Sequence, residues 1–258
     1  MSTLLLAVSP LILLGNPLLQ FLGASLILVV GLYLNSKYVD KVDFSEYGLV
    51  LEKATFFQVI IGIAIGFTAV ISILLLGEVT KILIVSESAS VLNASSVSFA
   101  LKMFLVAFLE ETFYRGYLFT TFSQRLLSAA STNKSGLLIA LVLSSLFFGL
   151  AHLGTENANV LSIAFLTLNG MVWCIPFIIS KNLGLSIGMH TAWNFFQTQV
   201  GFTMSGNKSN YAYFSIENNA ADWLTGGAYG PEAGALGLVG LMVMLCLSLA
   251  YLRVMSYR

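Results

Sequence analysis

The chain has 258 residues, of which 57% are hydrophobic and 9% charged, with no net charge and a mean hydropathy of +0.88. A water-soluble surface needs far more charge, so an ordinary soluble domain is excluded and a polytopic membrane protein is indicated. No basic or acidic excess is available for nucleic acid, which is excluded as a partner.

The first apolar stretch, Leu4 to Leu14, is broken by Pro10 and then by Gly15-Asn16-Pro17. It is too short to cross alone and is expected at the interface or leading into the first span, with an eighth crossing left open. No basic region precedes it, as one would in a cleaved signal peptide. Runs long enough to span follow near 18–34, 56–76, 98–122, 136–153, 159–180, 184–203 and 235–252. The expected fold is all-α, a polytopic transmembrane helical bundle of seven to eight spans around a polar intramembrane cavity. It is one membrane domain, 1–258, with N-terminal spans in 1–97, a catalytic core at about 98–203, and a C-terminal loop and last span in 204–258.

Seven spans put Lys37, Lys41, Lys53, Arg125, Lys134, Lys181, Arg253 and Arg258 on one side and only Lys81 and Lys208 on the other. By the positive-inside rule the C-terminus is cytoplasmic and the N-terminus outside. Cys174 and Cys246 lie far apart in apolar segments and read as small core residues, not as a disulfide or metal pair. The Gly-rich connection 204–234 ends in Gly230-Pro231-Glu232, which suits the start of the last helix.

A charge at the bilayer centre costs roughly 2.5–3.5 kcal/mol even on the lenient insertion scale, so the polar groups inside the spans mark function or pairing. Glu111 and Arg115 in the third span are four apart and can form an ion pair on one face. Glu110 points about 100° away round an α-helix and has no local partner, so the two neighbours are expected to do different work. As a free carboxylate in an apolar helix, Glu110 is the candidate general base. The only two histidines are His152, ending the fourth span, and His190 in the sixth, with Asn194 on the same face as His190. A carboxylate, two imidazoles and an amide are the groups that activate water and hold a tetrahedral oxyanion; they are also a possible zinc set. Gly149, Ala151, Gly188 and Ala192 flank the histidines and allow close helix approach. The chain has no HExxH, GxSxG or Walker motif.

Together, Glu110-Glu111-Thr112-Phe113-Tyr114-Arg115 (EExxxR), Phe148-Gly149-Leu150-Ala151-His152 (FxxxH) and His190-Thr191-Ala192-Trp193-Asn194 (HxxxN) resemble the three motifs of the CPBP family of intramembrane endopeptidases, the CAAX proteases and bacteriocin-processing or Abi proteins. The resemblance covers about 98–203. It implies that Glu110 activates water assisted by His152, that His190 and Asn194 stabilise the oxyanion, and that Glu111 and Arg115 orient the site. It implies hydrolysis of a peptide bond in a membrane-associated or lipidated protein or peptide, prenylated or not, by a glutamate-activated water. The reading without a cofactor is preferred, with zinc as the alternative. Two other readings compete: a non-catalytic scaffold or bacteriocin-immunity factor of the same fold, and a proton-coupled transporter. The absence of an internal repeat weighs against the transporter.

Overall fold

The computed structural model describes residues 15–87, 94–129, 133–208 and 212–255. The Leu4–Leu14 stretch lies outside them. Helix α1 (Pro17–Asn35) continues into a π turn, Ser36–Asp40, and a short 3-10 turn at Phe44–Tyr47 leads to α2 (Lys53–Val79). Strand β1 (Leu83–Glu87) precedes a continuous helical stretch made of α3 (Ala94–Glu110), a π-helical segment (Glu111–Phe119) and α4 (Thr120–Ala129). Then come α5 (Asn133–Ala151), a 3-10 turn at His152–Gly154, α6 (Val160–Ser180) and α7 (Gly184–Gln199). Strand β2 (Phe214–Asn218), the short α8 (Asp222–Thr225), a 3-10 turn at Pro231–Ala233 and α9 (Ala235–Met255) complete the order.

Among the described residues, five helices are long and apolar enough to cross a membrane: α1 with its π turn, α2, α5, α6 and α9. Their outward faces expose large apolar residues, among them Leu26, Phe56, Leu75, Leu138 and Met242, as lipid-facing helices do. The other two expected spans are the polar ones. The 94–129 stretch carries Lys102, Glu110, Glu111, Arg115 and Arg125, and α7 has only 16 residues. Helix α7 stops four residues short of the expected 203, and Gly201 then turns away at φ +105°. Every residue from Gly184 to Asn194 is buried, so α7 is the central post of the bundle.

Backbone contact packs α7 against α2. A Cβ on Gly62 would fall 2.5 Å from Leu185 O, one on Gly66 2.6 Å from Met189 O, and one on Gly184 2.7 Å from Thr55 O. Gly188 meets Val59 O at closer range still. Without a hydrophobic effect between helices in lipid, such small-residue seams supply the packing that holds them. Gly149 and Gly170 do the same between α5 and α6, the former against Ile163 O and the latter against Ser145. The expected close approach around the histidines therefore holds for Gly149, Gly188 and Ala192, whereas Ala151 is exposed. Further along α7, Trp193 is fully buried, and Gly240 of α9 lies against both its ring and Ile73, joining α2, α7 and α9.

The connections gather at two ends of the bundle. At one, Leu183 N–H donates to Gly48 O (3.1 Å), Asn182 Nδ2 to Thr55 Oγ1 (2.6 Å) and Thr120 Oγ1 to Glu46 O (3.4 Å). Buried Tyr47 is held there by Asp40 and Asn35, and its hydroxyl is pushed up to about 12, mainly by burial and then by Asp40. At the other end β1 and β2 pair antiparallel, Leu83 opposite Asn218 through Glu87 opposite Phe214. This short ladder is an addition at one end of a fold that is otherwise all-α, as expected. Asn16 and Pro17, expected as a break, also start α1: Asn16 Oδ1 accepts from Leu18 N–H (2.9 Å) and Pro17 takes the first helical position. Cys174 is buried as expected, but Cys246 is exposed on α9, because its face of that helix looks outward and not into the bundle.

Candidate active site

The α-to-π change starts at Glu111. A π segment widens the helix, and such segments recur where side chains must be re-aimed. Here both neighbouring glutamates meet one imidazole. Glu111 Oε1 accepts from His190 Nδ1 (2.7 Å) and from Arg115 Nη1 (3.0 Å), while Glu110 Oε2 lies 3.6 Å from His190 Nε2. The expectation of separate directions is corrected to this extent: the two carboxylates address opposite nitrogens of the same ring. Their surroundings still differ. The Glu111 side chain is 0% exposed and that of Glu110 28% exposed. With Nδ1 committed to a carboxylate that also pairs an arginine, the ring proton belongs on Nδ1, and Nε2 is the nitrogen turned to Glu110.

Arg115 is fixed from every direction. Its Nη2 donates to Gly170 O (3.4 Å), and its guanidinium lies over the Phe148 ring at 4.3 Å and near Trp173 at 5.6 Å. Trp173 stacks on His190 with ring centroids 4.1 Å apart, and Phe148 touches both Trp173 and His152 edge-on. Gly116 lets the π segment press on the Tyr47 backbone, since a Cβ there would fall 2.7 Å from Tyr47 O.

The remaining sequence-picked residues are placed as follows. Asn194, one turn beyond His190, makes no side-chain hydrogen bond to a described residue; only its carbonyl is used, by Thr198 Oγ1 (2.9 Å). His152 is half-buried, its Nδ1 bonded to Phe148 O (2.9 Å), so its Nε2 is uncommitted. It reaches the cluster through the Phe148 ring, while the close contacts of both glutamates go to His190.

Three residues of the site region were not picked out from the sequence. Trp173 lies in an apolar run, Gly170 to Ile179, where nothing distinguishes it from core. Tyr229 and Glu232 sit in the Gly-rich connection. Glu232, expected at a helix start, lies in the 3-10 turn that leads into α9 and is buried there. Its carboxylate accepts from Ser205 N–H (2.5 Å), Ser205 Oγ (2.8 Å), Trp193 Nε1 (3.3 Å) and Gln197 Nε2 (3.4 Å). It turns inward because Gly226 and Gly230, at φ +85° and +115°, fold the chain back onto α7. Tyr229 bonds Thr155 Oγ1 (3.2 Å), and its hydroxyl is pushed up to about 12 by burial, then by Glu232, with a smaller contribution from Glu110. The loop therefore closes over the His152 end of the site.

The donor set does not suit a resident zinc ion. His190 Nδ1 is spent on Glu111, which leaves Nε2 and Glu110 as two ligands where a catalytic zinc needs three from the protein. Among the described residues no group of three His, Cys, Asp or Glu side chains has the geometry to hold a metal.

Fold and site together define a multi-pass integral membrane protein with a glutamate–histidine–arginine cluster inside the bundle. Residues 92–196 match the family described as type II CAAX prenyl endopeptidase Rce1-like, to which this part of the chain is similar. The matched region holds all three motifs. No curated protein and no solved structure matches the chain.

Proposed function

We propose that the protein is an intramembrane endopeptidase of the CAAX-processing type, in which Glu110 activates the hydrolytic water. The observation that carries this reading is the pair of adjacent glutamates on the two nitrogens of His190, inside the region that matches the family. Glu110 Oε2, the partly open carboxylate, takes a proton from water as the oxygen attacks the scissile carbonyl. His190 Nε2, 3.6 Å away, flanks that water, and its ring is locked by Glu111 and the Trp173 stack. The unpartnered amide of Asn194 donates to the oxyanion as it forms. Collapse of the tetrahedral intermediate breaks the C–N bond, and the proton held by Glu110 passes to the departing amine. His152, with Nε2 free at the loop end, assists proton movement at the mouth of the site. Glu111 and Arg115 position His190 and do not react.

The substrate is a membrane-associated or lipidated protein or peptide. A lateral apolar groove of about 280 Å³ between α1 (Ala24, Ile27, Leu28) and the face carrying Leu109, Glu110 and Phe113 supports entry from the bilayer. Seven crossings are part of the reading, with α7 and the 94–129 stretch adding to the five apolar helices. In support, among the described residues the 36–52 and 181–183 connections, which carry Lys37, Lys41 and Lys181, meet at the Tyr47 end, and β1 and the connection carrying β2 meet at the other. The C-terminus is then cytoplasmic and the loop over His152 faces outward. Comparison of membrane peptidomes from cells with the wild type, with Glu110→Gln and without the protein tests the activity. A shortened peptide that requires Glu110 is expected; identical peptidomes in all three would overturn the proposal.

A further inference from the structure

A second cavity, of about 780 Å³ and largely polar, lies at the His152 end of the bundle. Glu156 and Asn157 after the His152 turn, Gly201–Thr203, the Gly227–Pro231 turn and residues 215–218 of β2 bound it. The catalytic proposal makes no use of this space.

Its wall includes an unused strand edge. Strand β2 pairs with β1 on one side only. Asn219 N–H donates to Ile82 O (2.9 Å), and the register continues through Ile84 opposite Glu217 and Ser86 opposite Ser215. In an antiparallel ladder hydrogen-bonded and non-bonded pairs alternate. Residues 215, 217 and 219 therefore direct their backbone groups to β1, and 214, 216 and 218 direct theirs the other way. Outside the β1–β2 ladder, no described backbone or side-chain group bonds the N–H or C=O of Ile216. At one end of this edge Gly201, at φ +105°, comes up against Phe214 O; at the other the Asn218 amide donates to Gly227 O (3.1 Å). The open length is centred on Ile216. The outer edge of β1 borders no part of the cavity.

We propose that the free edge of β2 at Ile216 is a docking site for the extended peptide segment of the substrate, held by backbone hydrogen bonds as an added strand. This rests on the endopeptidase reading. Three features argue for a peptide as the occupant. A sheet edge offers one N–H and one C=O in the spacing another extended chain matches, with little demand on its side chains. A scissile bond must be presented in extended form, and helical membrane segments hide theirs. The cavity also lies beside the His152 turn: Glu156 and Asn157 of its wall follow that turn, and Tyr229, in the loop that forms another wall, bonds Thr155. Lys208, Glu156 and Glu217 at the walls supply both charge signs, so recognition of the main chain and not of one side-chain charge fits the lining.

The test is an N-methyl scan of a synthetic farnesylated peptide, with binding to full-length Glu110→Gln protein in nanodiscs and cleavage of the unmethylated peptide by wild type measured in parallel. Methylation at the position opposite Ile216 should weaken binding about 5- to 10-fold, with both neighbouring positions silent. Ile216→Pro, which removes the N–H on the cavity side and spares those facing β1, should raise KM by a similar factor with kcat little changed, while Ile216→Val should not. A flat scan with normal cleavage overturns the edge site and leaves the endopeptidase standing. An alternating scan without cleavage by wild type supports the edge site and overturns the hydrolysis. Absence of binding by the peptide overturns the edge site.

Discussion

Helix α7 is held at two heights by buried carboxylates, and the two are satisfied differently. Near its middle Glu111 takes a charged partner, Arg115, and a ring nitrogen of His190. Towards its C-terminal end Glu232 takes neutral donors only: the Ser205 N–H and hydroxyl, the Trp193 indole and the Gln197 amide. A buried ion pair is a poor source of net stability, because desolvation offsets the attraction. Its presence beside His190 is explained by orientation: it fixes one ring nitrogen and leaves the other for Glu110. The Glu232 hub spends no charge partner and fixes no reacting group. It pins the Gly-rich loop onto α7 and so shapes the mouth. One carboxylate serves the chemistry, the other the enclosure.

Mutations should separate the two. Glu111→Ala leaves Arg115 buried without its carboxylate, and thermal unfolding should register a loss of about 3–5 kcal/mol together with loss of activity. Asn194→Ala removes an amide that no described residue uses, so turnover should fall about 10²–10³-fold with an unchanged melting temperature. A fall in both would place Asn194 in the packing. Glu232→Gln keeps volume but swaps one acceptor for a donor facing donors; it should cost about 1–3 kcal/mol and raise KM more than it lowers kcat. Tyr229→Phe deletes the bond to Thr155 and should cost about 0.5–1.5 kcal/mol, read as a small shift in melting temperature.

The same comparison marks what the sequence made legible. The apolar spans and the Glu111–Arg115 pair follow from composition and from four-residue spacing, which are local properties. Both histidines and Asn194 stood out because polar groups at that depth need a reason. The convergence of Glu110 and Glu111 on one ring was hidden, since it depends on where α7 places His190 between the two carboxylates. The role of Trp173 needed the packing of α6 on α7. Glu232 was read as a helix start because its burial follows from a loop folding back through Gly226 and Gly230. The β ladder joins Leu83–Glu87 to Phe214–Asn218, two short segments whose pairing partner no local pattern identifies.

The central claim is that adjacent glutamates share His190 but divide the labour. Turnover and melting temperature measured side by side for Glu110→Gln and Glu111→Gln test it most directly. The account predicts that Glu110→Gln lowers turnover by at least about 10²–10⁴-fold with the melting temperature of the wild type, while Glu111→Gln lowers both. Wild-type turnover by Glu110→Gln, or the same stability loss in the two variants, would contradict it.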